Sequence, residues 1–499
     1  MTAAVAPHWS AHLAPGVDAD LSLGATLPGA WTARWAADPG AEVIATPSGR
    51  SVTAAELEQL TAAAAGRYAA AGLAPGDRIM VSAGPSVELV VAYLAALRYG
   101  LTVVPVNTAY TPVELANLAA DSHPVLAVLD DVDRAPGIPS TTPDLAGLPA
   151  PQAAPVDRVQ PADPALIVYT SGTTGRPKGA VLTHANLLAS AHAVRLAWRW
   201  TPEDRLALSL PLFHIHGLGV GLHGTLVAGG SLLLLPRFEP SAVASAIEGG
   251  CTLFFGVPTM YHRLAESPQL TALRRLRLAV SGSAPLPAEL HDAVRERTGQ
   301  QILERYGMTE TIMLVSNPYD GPRRPGTVGL PLPGVSVRLA PGAGGTTEIE
   351  VAGPNVFGGY LDRPEATAEA FTADGWFRTG DLGVLDDDGY LRISGRAKEL
   401  IITGGYNVYP REVEETLRAH PGVADAAVAG VPSTEWGETV VAYVVPGDVV
   451  DTSQLERELT EWCAARLAPY KRPRGWRWID VVPRNALGKV LRHELSQGG

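Results

Sequence analysis

The sequence is poor in cysteine, and it has no long apolar run and no cluster of basic residues. Two cysteines among 499 residues cannot build a disulfide framework or a cysteine-rich metal site. No unbroken apolar stretch is long enough to span a membrane, and the first residues lack the basic and then apolar pattern of a signal peptide. The net charge of −12 argues against nucleic acid or an anionic membrane as the main partner. These absences predict a soluble protein of a reducing compartment, which we expect to be the cytoplasm.

The pattern of apolar and helix-forming segments in the chain predicts an α/β fold. Hydrophobic residues make up 46% of the chain, enough for a large core, and the length allows roughly two to four domains. The first half alternates apolar segments, such as 78–82 and 101–106, with helical segments. Thr53 with Glu56 and Thr111 with Glu114 have the spacing of a capping box, which starts a helix. Such alternation indicates doubly wound, mostly parallel sheets with helices on both faces.

The pattern changes in the second half of the chain. Between residues 326 and 393, short alternating segments are separated by glycine and proline turns, which is typical of a small antiparallel barrel. After residue 395, about 100 residues read as a compact mixture of helices and strands. The sequence therefore predicts a large N-terminal domain that includes a small β-barrel, followed by a small α+β C-terminal domain.

A glycine- and hydroxyl-rich loop is the strongest local signal, reading YTSGTTGRPKG from 169 to 179. Glycines let backbone N–H groups approach a phosphate, hydroxyls add donors, and Lys178 adds a positive charge. It is not a Walker A loop, because Pro177 and Gly179 stand where that motif needs Gly and then Ser or Thr. The segment predicts phosphate binding, with a flexible surface loop as the alternative.

Four further segments carry side chains suited to nucleotide chemistry, although each is weak alone. In ERYGMTE (304–310), Tyr306 could stack on a base, Thr309 could donate to a phosphate, and Glu310 could hold magnesium. The others are WFRTGD, ending at Asp381, GRAKELIITGG over 395–405, and PRNALGK, ending at Lys489. The alternatives are a solvated glutamate, a turn aspartate and a solvated lysine.

Taken in order, these segments resemble the adenylate-forming superfamily, which contains acyl-CoA synthetases, peptide-synthetase adenylation domains and beetle luciferases. The resemblance spans residues 43–495. It implies an ATP-dependent acid–thiol ligase that uses ATP, Mg²⁺ and coenzyme A and passes through an acyl adenylate. It also implies an N-terminal adenylation core over 1–395 and a mobile C-terminal lid over 396–499, which carries the catalytic lysine.

The resemblance also implies roles for individual residues. The catalytic residues would be Lys489, Glu310, Thr309 and His214. Those that hold the metal would be Glu310 and Thr170, with Lys398 as the hinge and with Gly404 and Gly405 facing coenzyme A. The residues expected to bind ATP or AMP are Thr170, Ser171, Gly172, Thr173, Thr174, Lys178, Ser283, Ala284, Pro285, Glu304, Arg305, Tyr306, Gly307, Met308, Thr309, Asp381 and Arg396.

Two segments bear on the acid substrate, PLFHIHG (211–217) and FGVPTMYHR (255–263). Arg263 lies one helical turn beyond Thr259, and a guanidinium in an apolar pocket would suit an acid with a second carboxylate. Burying that carboxylate unpaired would cost on the order of several kcal/mol, which a bidentate arginine offsets. The alternative is an exposed arginine, or one paired with Glu266.

Together with SGSAPLP (281–287) and ERYGMTETIM (304–313), these segments resemble malonyl-CoA synthetase. That resemblance implies malonate or methylmalonate as the acid, with Arg263 on its distal carboxylate. The expected acid-binding residues are Arg263, His214, His216, Ser281 and Met308. Ile312 and Leu314 depart from the malonate pattern.

Other functions stay open from the sequence. The acid could be another small acid, an aromatic acid or an amino acid, although residues 210–218 contain no aspartate to meet a substrate ammonium. The final nucleophile could be a carrier-protein thiol, an amine or an inorganic anion. A non-catalytic nucleotide-binding regulator is a third possibility, against which Lys489 and Glu310 argue. We expect a monomer or a homodimer.

Overall fold

The computed structural model describes residues 7–170, 177–340, 346–403, 406–433, 436–447, 451–485 and 488–495. The chain divides into two compact units. The larger comprises Met1–Gly282, Ala288–Val337 and Val351–Phe377, and the smaller comprises Ser283–Pro287, Arg338–Glu350 and Arg378–Gly499. The predicted domain boundary after residue 395 stays a prediction.

Helices occur throughout both units. In chain order they are α1 (Leu27–Ala37), α2 (Ala54–Ala70), α3 (Val87–Tyr99), α4 (Pro112–Ser122), α5 (His184–Ala197), α6 (His223–Ala228), α7 (Pro240–Glu248), α8 (Pro258–Ala265), α9 (Ala288–Thr298), α10 (Pro364–Ala370), α11 (Pro410–Arg418), α12 (Thr452–Arg466) and α13 (Arg492–Leu495). A π-helical segment, His216–Leu222, leads directly into α6.

Strands, like helices, occur in both units. In chain order they are β1 (Glu42–Ala45), β2 (Ser51–Thr53), β3 (Arg78–Ser82), β4 (Thr102–Pro105), β5 (Leu126–Leu129), β6 (Ser140–Thr141), β7 (Pro164–Thr170), β8 (Lys178–Thr183), β9 (Arg205–Leu208), β10 (Ser231–Leu234), β11 (Leu253–Gly256), β12 (Leu278–Ser281), β13 (Leu303–Tyr306), β14 (Val315–Ser316), β15 (Leu330–Pro331), β16 (Ser336–Leu339), β17 (Thr347–Ala352), β18 (Phe377–Leu385), β19 (Leu391–Arg396), β20 (Ile401–Thr403), β21 (Tyr406–Val408), β22 (Val423–Ser433), β23 (Gly437–Pro446) and β24 (Gly475–Trp478).

Side-chain caps fix where the first helices begin. The Thr53 hydroxyl accepts from the Glu56 backbone N–H, and the Glu56 carboxylate accepts from the Thr53 N–H at 2.8 Å. Thr111 and Glu114 form the same reciprocal pair at the start of α4. Both predicted capping boxes are confirmed, because this signal depends only on residues within one turn.

Two largely parallel sheets dominate the larger unit. One has six strands in the order β6-β5-β3-β4-β7-β8, in which only the last pair among the described strands is antiparallel. The other has nine strands in the order β15-β14-β13-β12-β11-β9-β10-β1-β2, and its central strands from β13 to β1 are parallel. The predicted α/β class with mostly parallel sheets is confirmed.

The later segments form smaller sheets. The stretch predicted as a small barrel contains the four-stranded sheet β16-β17-β18-β19. The last hundred residues form the α+β arrangement that the sequence predicts, in which β21-β20-β23-β22 and the added β24 pack against α11 and α12. Across the described ranges, no helix combines the length and apolarity needed to traverse a bilayer.

Candidate active site

The predicted phosphate loop joins two antiparallel strands. Thr170 at the end of β7 pairs in register with Lys178 at the start of β8, and the Thr170 hydroxyl donates to the Lys178 carbonyl at 3.4 Å. The predicted loop residues Ser171, Gly172, Thr173 and Thr174 lie outside the described residues. The structure thus describes both ends of the loop, and the pairing holds Thr170 and the cationic Lys178 side by side.

A tyrosine and a buried carboxylate follow in space from Lys178. Glu310 is 5% exposed, and the Tyr360 hydroxyl donates to its Oε1 atom at 3.0 Å. The Lys178 ammonium lies 5.2 Å from the centroid of the Tyr360 ring. Burial and the Glu310 carboxylate raise the pKa of Tyr360, so the phenol keeps its proton and remains a donor. Tyr360 therefore links Lys178 to Glu310.

The residues around Glu310 fit a magnesium ion. The part of the chain that the structure describes has no group of three or more His, Cys, Asp or Glu side chains that could hold a metal. Mg²⁺ does not require such a group, because it is usually bound through one or two carboxylates, phosphate oxygens and water. The single buried carboxylate of Glu310, held in place by Tyr360, meets that requirement.

The turn that carries Glu310 is tightly closed. The backbone N–H groups of Thr311 and Ile312 both donate to the carbonyl of Met308, at 3.1 and 2.7 Å. A side chain at Gly307 would place its Cβ 2.1 Å from the Ile312 carbonyl oxygen, so only glycine fits there. The turn fixes Thr309 and Glu310 directly after β13, the strand that ends in the buried Tyr306.

The predicted ribose-binding residues meet in the smaller unit. Asp381 and Arg396 are directly opposite each other in the antiparallel pair β18–β19, and Arg396 Nε lies 2.9 Å from Asp381 Oδ1. Asp381 is 4% exposed. The structure therefore brings together two residues that are 15 positions apart, a carboxylate and a guanidinium, which are both groups that can hydrogen-bond ribose hydroxyls.

Lys489 lies in the same unit as this pair. Its backbone N–H donates to Asn485 Oδ1 at 3.0 Å, and its Nζ lies 3.8 Å from Glu399 Oε1. Burial, followed by the positive charge of Arg396, lowers the pKa of Lys489, whereas the Glu399 and Asp381 carboxylates raise it. The predicted catalytic lysine is thus a partly desolvated cation close to the predicted ribose-binding pair.

The two histidines of the acid segment lie next to a buried arginine. His214 Nδ1 accepts from the backbone N–H of His216 at 3.2 Å, just before the π-helical segment. Burial and then the Arg305 guanidinium lower the pKa of His214 to about 4, and the same causes lower the pKa of His216 well below its usual value. Both imidazoles are therefore neutral at pH 7, while Arg305 supplies the positive charge.

Arg263 lies on the side of the nine-stranded sheet that carries the Phe254 side chain. Phe254 and Phe255 are neighbours in β11, so their side chains point to opposite faces. The Arg263 guanidinium lies 5.0 Å from the centroid of Phe238, which stacks on Phe254 with a centroid distance of 6.4 Å. Arg263 is 51% exposed, and its Nη2 lies 3.3 Å from a carboxylate oxygen of Glu239.

Arg305 belongs to the opposite face, that of Phe255. Phe255 pairs with Val280, and Val280 pairs with Leu303, so these three side chains share a face. Arg305 follows Leu303 by two residues in β13 and points the same way. The structure therefore brings His214 and His216 together with Arg305 but not with Arg263, whose acid-binding role stays a prediction.

The other predicted residues have individual positions. Ser281 and Glu304 are buried and pair with each other on the face opposite Arg305. Ser283 has a left-handed backbone (φ 70°), and Ala284 and Pro285 follow it in the same stretch of the smaller unit. Lys398 is exposed in a short 3₁₀ turn after β19. Gly404 and Gly405 lie outside the described residues.

Sequence reasoning missed Tyr360. It lies 50 residues after Glu310, in a segment without a nucleotide motif, and it reaches the site because it bridges to Ala180 in β8. No periodicity or spacing near Tyr360 could have indicated this contact, which depends on the tertiary fold.

Comparison with known proteins gives a consistent family. The family description "AMP-binding enzyme" matches residues 31–361, and "AMP-binding enzyme C-terminal domain" matches residues 412–489. A sulfoacetate–CoA ligase from Cupriavidus necator is 39% identical over 93% of this chain and 95% of its own length. A feruloyl-CoA synthase from an Amycolatopsis species is 38% identical over 94% and 98%.

A solved structure with the same fold is a malonyl-CoA ligase in a ternary product complex with methylmalonyl-CoA and AMP. It is 43% identical to this chain, covers 96% of it and 100% of its own length, and superposes with a TM-score of 0.68. The family resemblance inferred from the motifs is confirmed, and with it the expectation of ATP, Mg²⁺ and coenzyme A, which adenylate-forming CoA ligases use. The chain belongs to the AMP-binding enzyme family and is an AMP-forming acid–CoA ligase.

Proposed function

We propose that this enzyme joins malonate or methylmalonate to coenzyme A, with ATP converted to AMP and pyrophosphate. The observation that carries the proposal is the 43% identity to a malonyl-CoA ligase over the whole of that protein's length. A cytoplasmic location is part of the proposal, because both cysteines are buried free thiols.

The first half-reaction activates the acid. A carboxylate oxygen of the acid attacks the α-phosphorus of ATP, and the bond to pyrophosphate breaks to leave an acyl adenylate. Lys178 and Thr170 would bind the triphosphate, and Glu310, oriented by Tyr360, would hold Mg²⁺. The ion would compensate charge on the phosphate oxygens. Lys489 would bridge the attacking carboxylate and the α-phosphate and stabilise the charge that develops between them.

The second half-reaction forms the thioester. The thiol of coenzyme A attacks the acyl carbonyl, the thiol proton is released, and AMP departs with the electrons of the C–O bond. We propose that residues 396–499 act as a lid that reorients about Lys398 between the two steps. In that second arrangement, Gly404 and Gly405 would face the pantetheine arm.

Sulfoacetate is a second candidate substrate. The sulfoacetate–CoA ligase is 39% identical over 93% of the chain. Sulfoacetate, which has a sulfonate where malonate has its distal carboxylate, should therefore be compared with malonate as a substrate. Malonate and sulfoacetate have the same arrangement of charges, since each has an anionic group one carbon away from the reacting carboxylate. Ferulate, the acid named for a third relative, lacks that group.

An acid panel tests the proposal. Pyrophosphate release would be measured with malonate, methylmalonate, sulfoacetate, propionate and ferulate, each with and without coenzyme A, and the thioester would be identified by mass spectrometry. We expect the highest kcat/KM for malonate or methylmalonate and a thioester only when coenzyme A is present. A preference for ferulate or propionate would refute the substrate assignment, and pyrophosphate release without any CoA thioester would refute the nucleophile.

A further inference from the structure

A carboxylate outside the predicted nucleotide-binding residues connects two segments of the candidate active site. Asp121 lies in the last turn of α4. The Tyr169 hydroxyl donates to its Oδ2 atom at 2.7 Å, and the Arg363 Nη2 atom donates to its Oδ1 atom. These partners are 48 and 242 positions away from Asp121 in the sequence. Asp121 thus binds one residue of β7 and one residue of the segment that carries Tyr360.

The position of Asp121 is unfavourable for helix α4 itself. The partial negative charge at the C-terminal end of a helix repels a carboxylate in the last turn, and aspartate is a weaker helix former than alanine. Within α4, all of which the structure describes, the last turn has no basic residue to compensate. The bonds that the side chain makes to other elements, rather than the stability of α4, therefore explain an aspartate at this position.

The bond to Tyr169 fixes the strand that leads into the glycine-rich loop. Tyr169 comes directly before Thr170 and pairs in register with Gly179, where a Cβ would lie 3.2 Å from the Tyr169 Cζ atom. The ring therefore packs over backbone that carries no side chain. Burial, followed by the hydrogen bond to Asp121, raises the pKa of Tyr169, so the phenol keeps its proton and remains a donor. Asp121 thus holds the residue next to Thr170 in a defined position.

The bond to Arg363 fixes the segment that orients Glu310. This segment runs beside β8, because Tyr360 forms an antiparallel bridge with Ala180. The Tyr360 backbone N–H donates to the Thr367 hydroxyl, and that hydroxyl donates to the Arg363 carbonyl, each at 2.9 Å. A chain of bonds therefore runs from the aspartate through Arg363 and Thr367 to the tyrosine whose hydroxyl binds Glu310.

We propose that Asp121 is a positioning residue for adenylation, which through its two bonds keeps the end of β7 aligned with the segment that carries Tyr360. The inference rests on the proposed function, in which Thr170 and Lys178 bind the triphosphate and Glu310 holds Mg²⁺. One carboxylate thereby sets the position of the triphosphate contacts relative to the metal ligand. Such alignment matters because a misplacement of about 1 Å, caused by a substitution far from the reacting atoms, can cost about 10²-fold in rate.

The test is a kinetic comparison of Asp121→Ala with the wild type, using the acid that the wild type activates best. We expect the KM for MgATP to rise roughly 3- to 30-fold, which is the usual effect of breaking a bonded network between distant groups. The Mg²⁺ concentration for half-maximal pyrophosphate exchange should rise with it, whereas the KM for the acid should change by less than about twofold. Thioester formation from a supplied acyl adenylate should keep the wild-type rate. An unchanged KM for MgATP, or an equal rise in both KM values, would overturn the inference.

Asp157→Asn is the matched control. The side chains of Asp157 and Asp121 are 26% and 24% exposed, and each binds an arginine, but the partner of Asp157 is Arg98 in α3. Asparagine suits position 157 because the backbone there is left-handed, with φ at 61°. The control should lower the Tm and leave both KM values unchanged. A lowered Tm of Asp121→Ala with wild-type kinetic constants would show a purely structural role and would contradict the inference.

Two further variants separate the two bonds and keep the test decisive if Asp121→Ala does not fold. Tyr169→Phe removes one hydroxyl, and Arg363→Gln removes the charge of a partly exposed side chain. Each should raise the KM for MgATP, and wild-type values in both would reject the inference. Lys178→Ala tests the proposed function separately. If it leaves the KM for MgATP unchanged, the proposed triphosphate contact is wrong; if it raises that KM and Asp121→Ala does not, only the positioning role is wrong.

Discussion

Replacing Tyr360 with Phe should weaken adenylation without disturbing the second half-reaction. The substitution removes one hydroxyl, which donates to Glu310 at 3.0 Å, and keeps the ring on which the Lys178 ammonium lies. A hydrogen bond to a charged group contributes about 1.5–3 kcal/mol. At about 1.36 kcal/mol per tenfold, kcat/KM for MgATP should fall roughly 10- to 150-fold. ATP–pyrophosphate exchange, measured over a range of Mg²⁺ concentrations, reports this step directly.

Tyr68→Phe provides the matched control. Tyr68 is also buried, but its hydroxyl donates to a neutral carbonyl, that of Ala92, at 3.1 Å. Its loss should cost about 0.5–1.5 kcal/mol of folding stability and leave the kinetic constants unchanged. Thioester formation from a supplied acyl adenylate should proceed at the wild-type rate in Tyr360→Phe. If Tyr360→Phe exchanges pyrophosphate normally at limiting Mg²⁺, Tyr360 does not position Glu310 for catalysis.

Three further predictions concern the smaller unit. Lys489→Ala should abolish pyrophosphate exchange and spare thioester formation from preformed adenylate; near-normal exchange would exclude its proposed role. Because Lys489 acts as a cation and its pKa is lowered, pyrophosphate exchange should decline as the pH rises through a value below the usual 10.5. Glu399→Gln removes a carboxylate that raises the pKa of Lys489, so the decline should move to still lower pH. A pH profile that is flat up to 10.5 would contradict this. Asp381→Asn should raise the KM for ATP about tenfold or more with little change in the KM for the acid; a change confined to the acid would refute ribose binding by Asp381.

Local sequence signals predicted local structure well. The capping boxes at Thr53 and Thr111 fix helix starts because every interacting atom lies within one turn. The continuous apolar strands indicated the parallel sheets, since strands covered by helices on both faces need no polar alternation. The order of the nucleotide segments was enough to identify the family. In each case the interaction that determines the structure and the sequence pattern that reveals it involve the same few residues.

The sequence alone could not show which side chains share a face of the nine-stranded sheet, because that depends on sheet register. Arg263 lies in the helix after β11 and Arg305 lies within β13 of the same sheet, and nothing in either segment of the sequence shows which face each side chain occupies. Only the pairing of Phe255 through Val280 to Leu303 places Arg305 on the side of the histidines. Tyr360 was missed for a related reason, because its contact with Glu310 joins segments that are 50 residues apart. Such contacts arise from tertiary packing and leave no spacing pattern.

The most direct test of the account is the ratio of kcat/KM for malonate to that for propionate in the wild-type enzyme, measured by acid-dependent pyrophosphate release in the presence of coenzyme A. The two acids differ by the distal carboxylate. If the enzyme is a malonate–CoA ligase, as we propose, it should discriminate by at least about 10²-fold, since propionate would leave the polar groups that bind the second carboxylate unpaired. Equal values for the two acids would contradict the account.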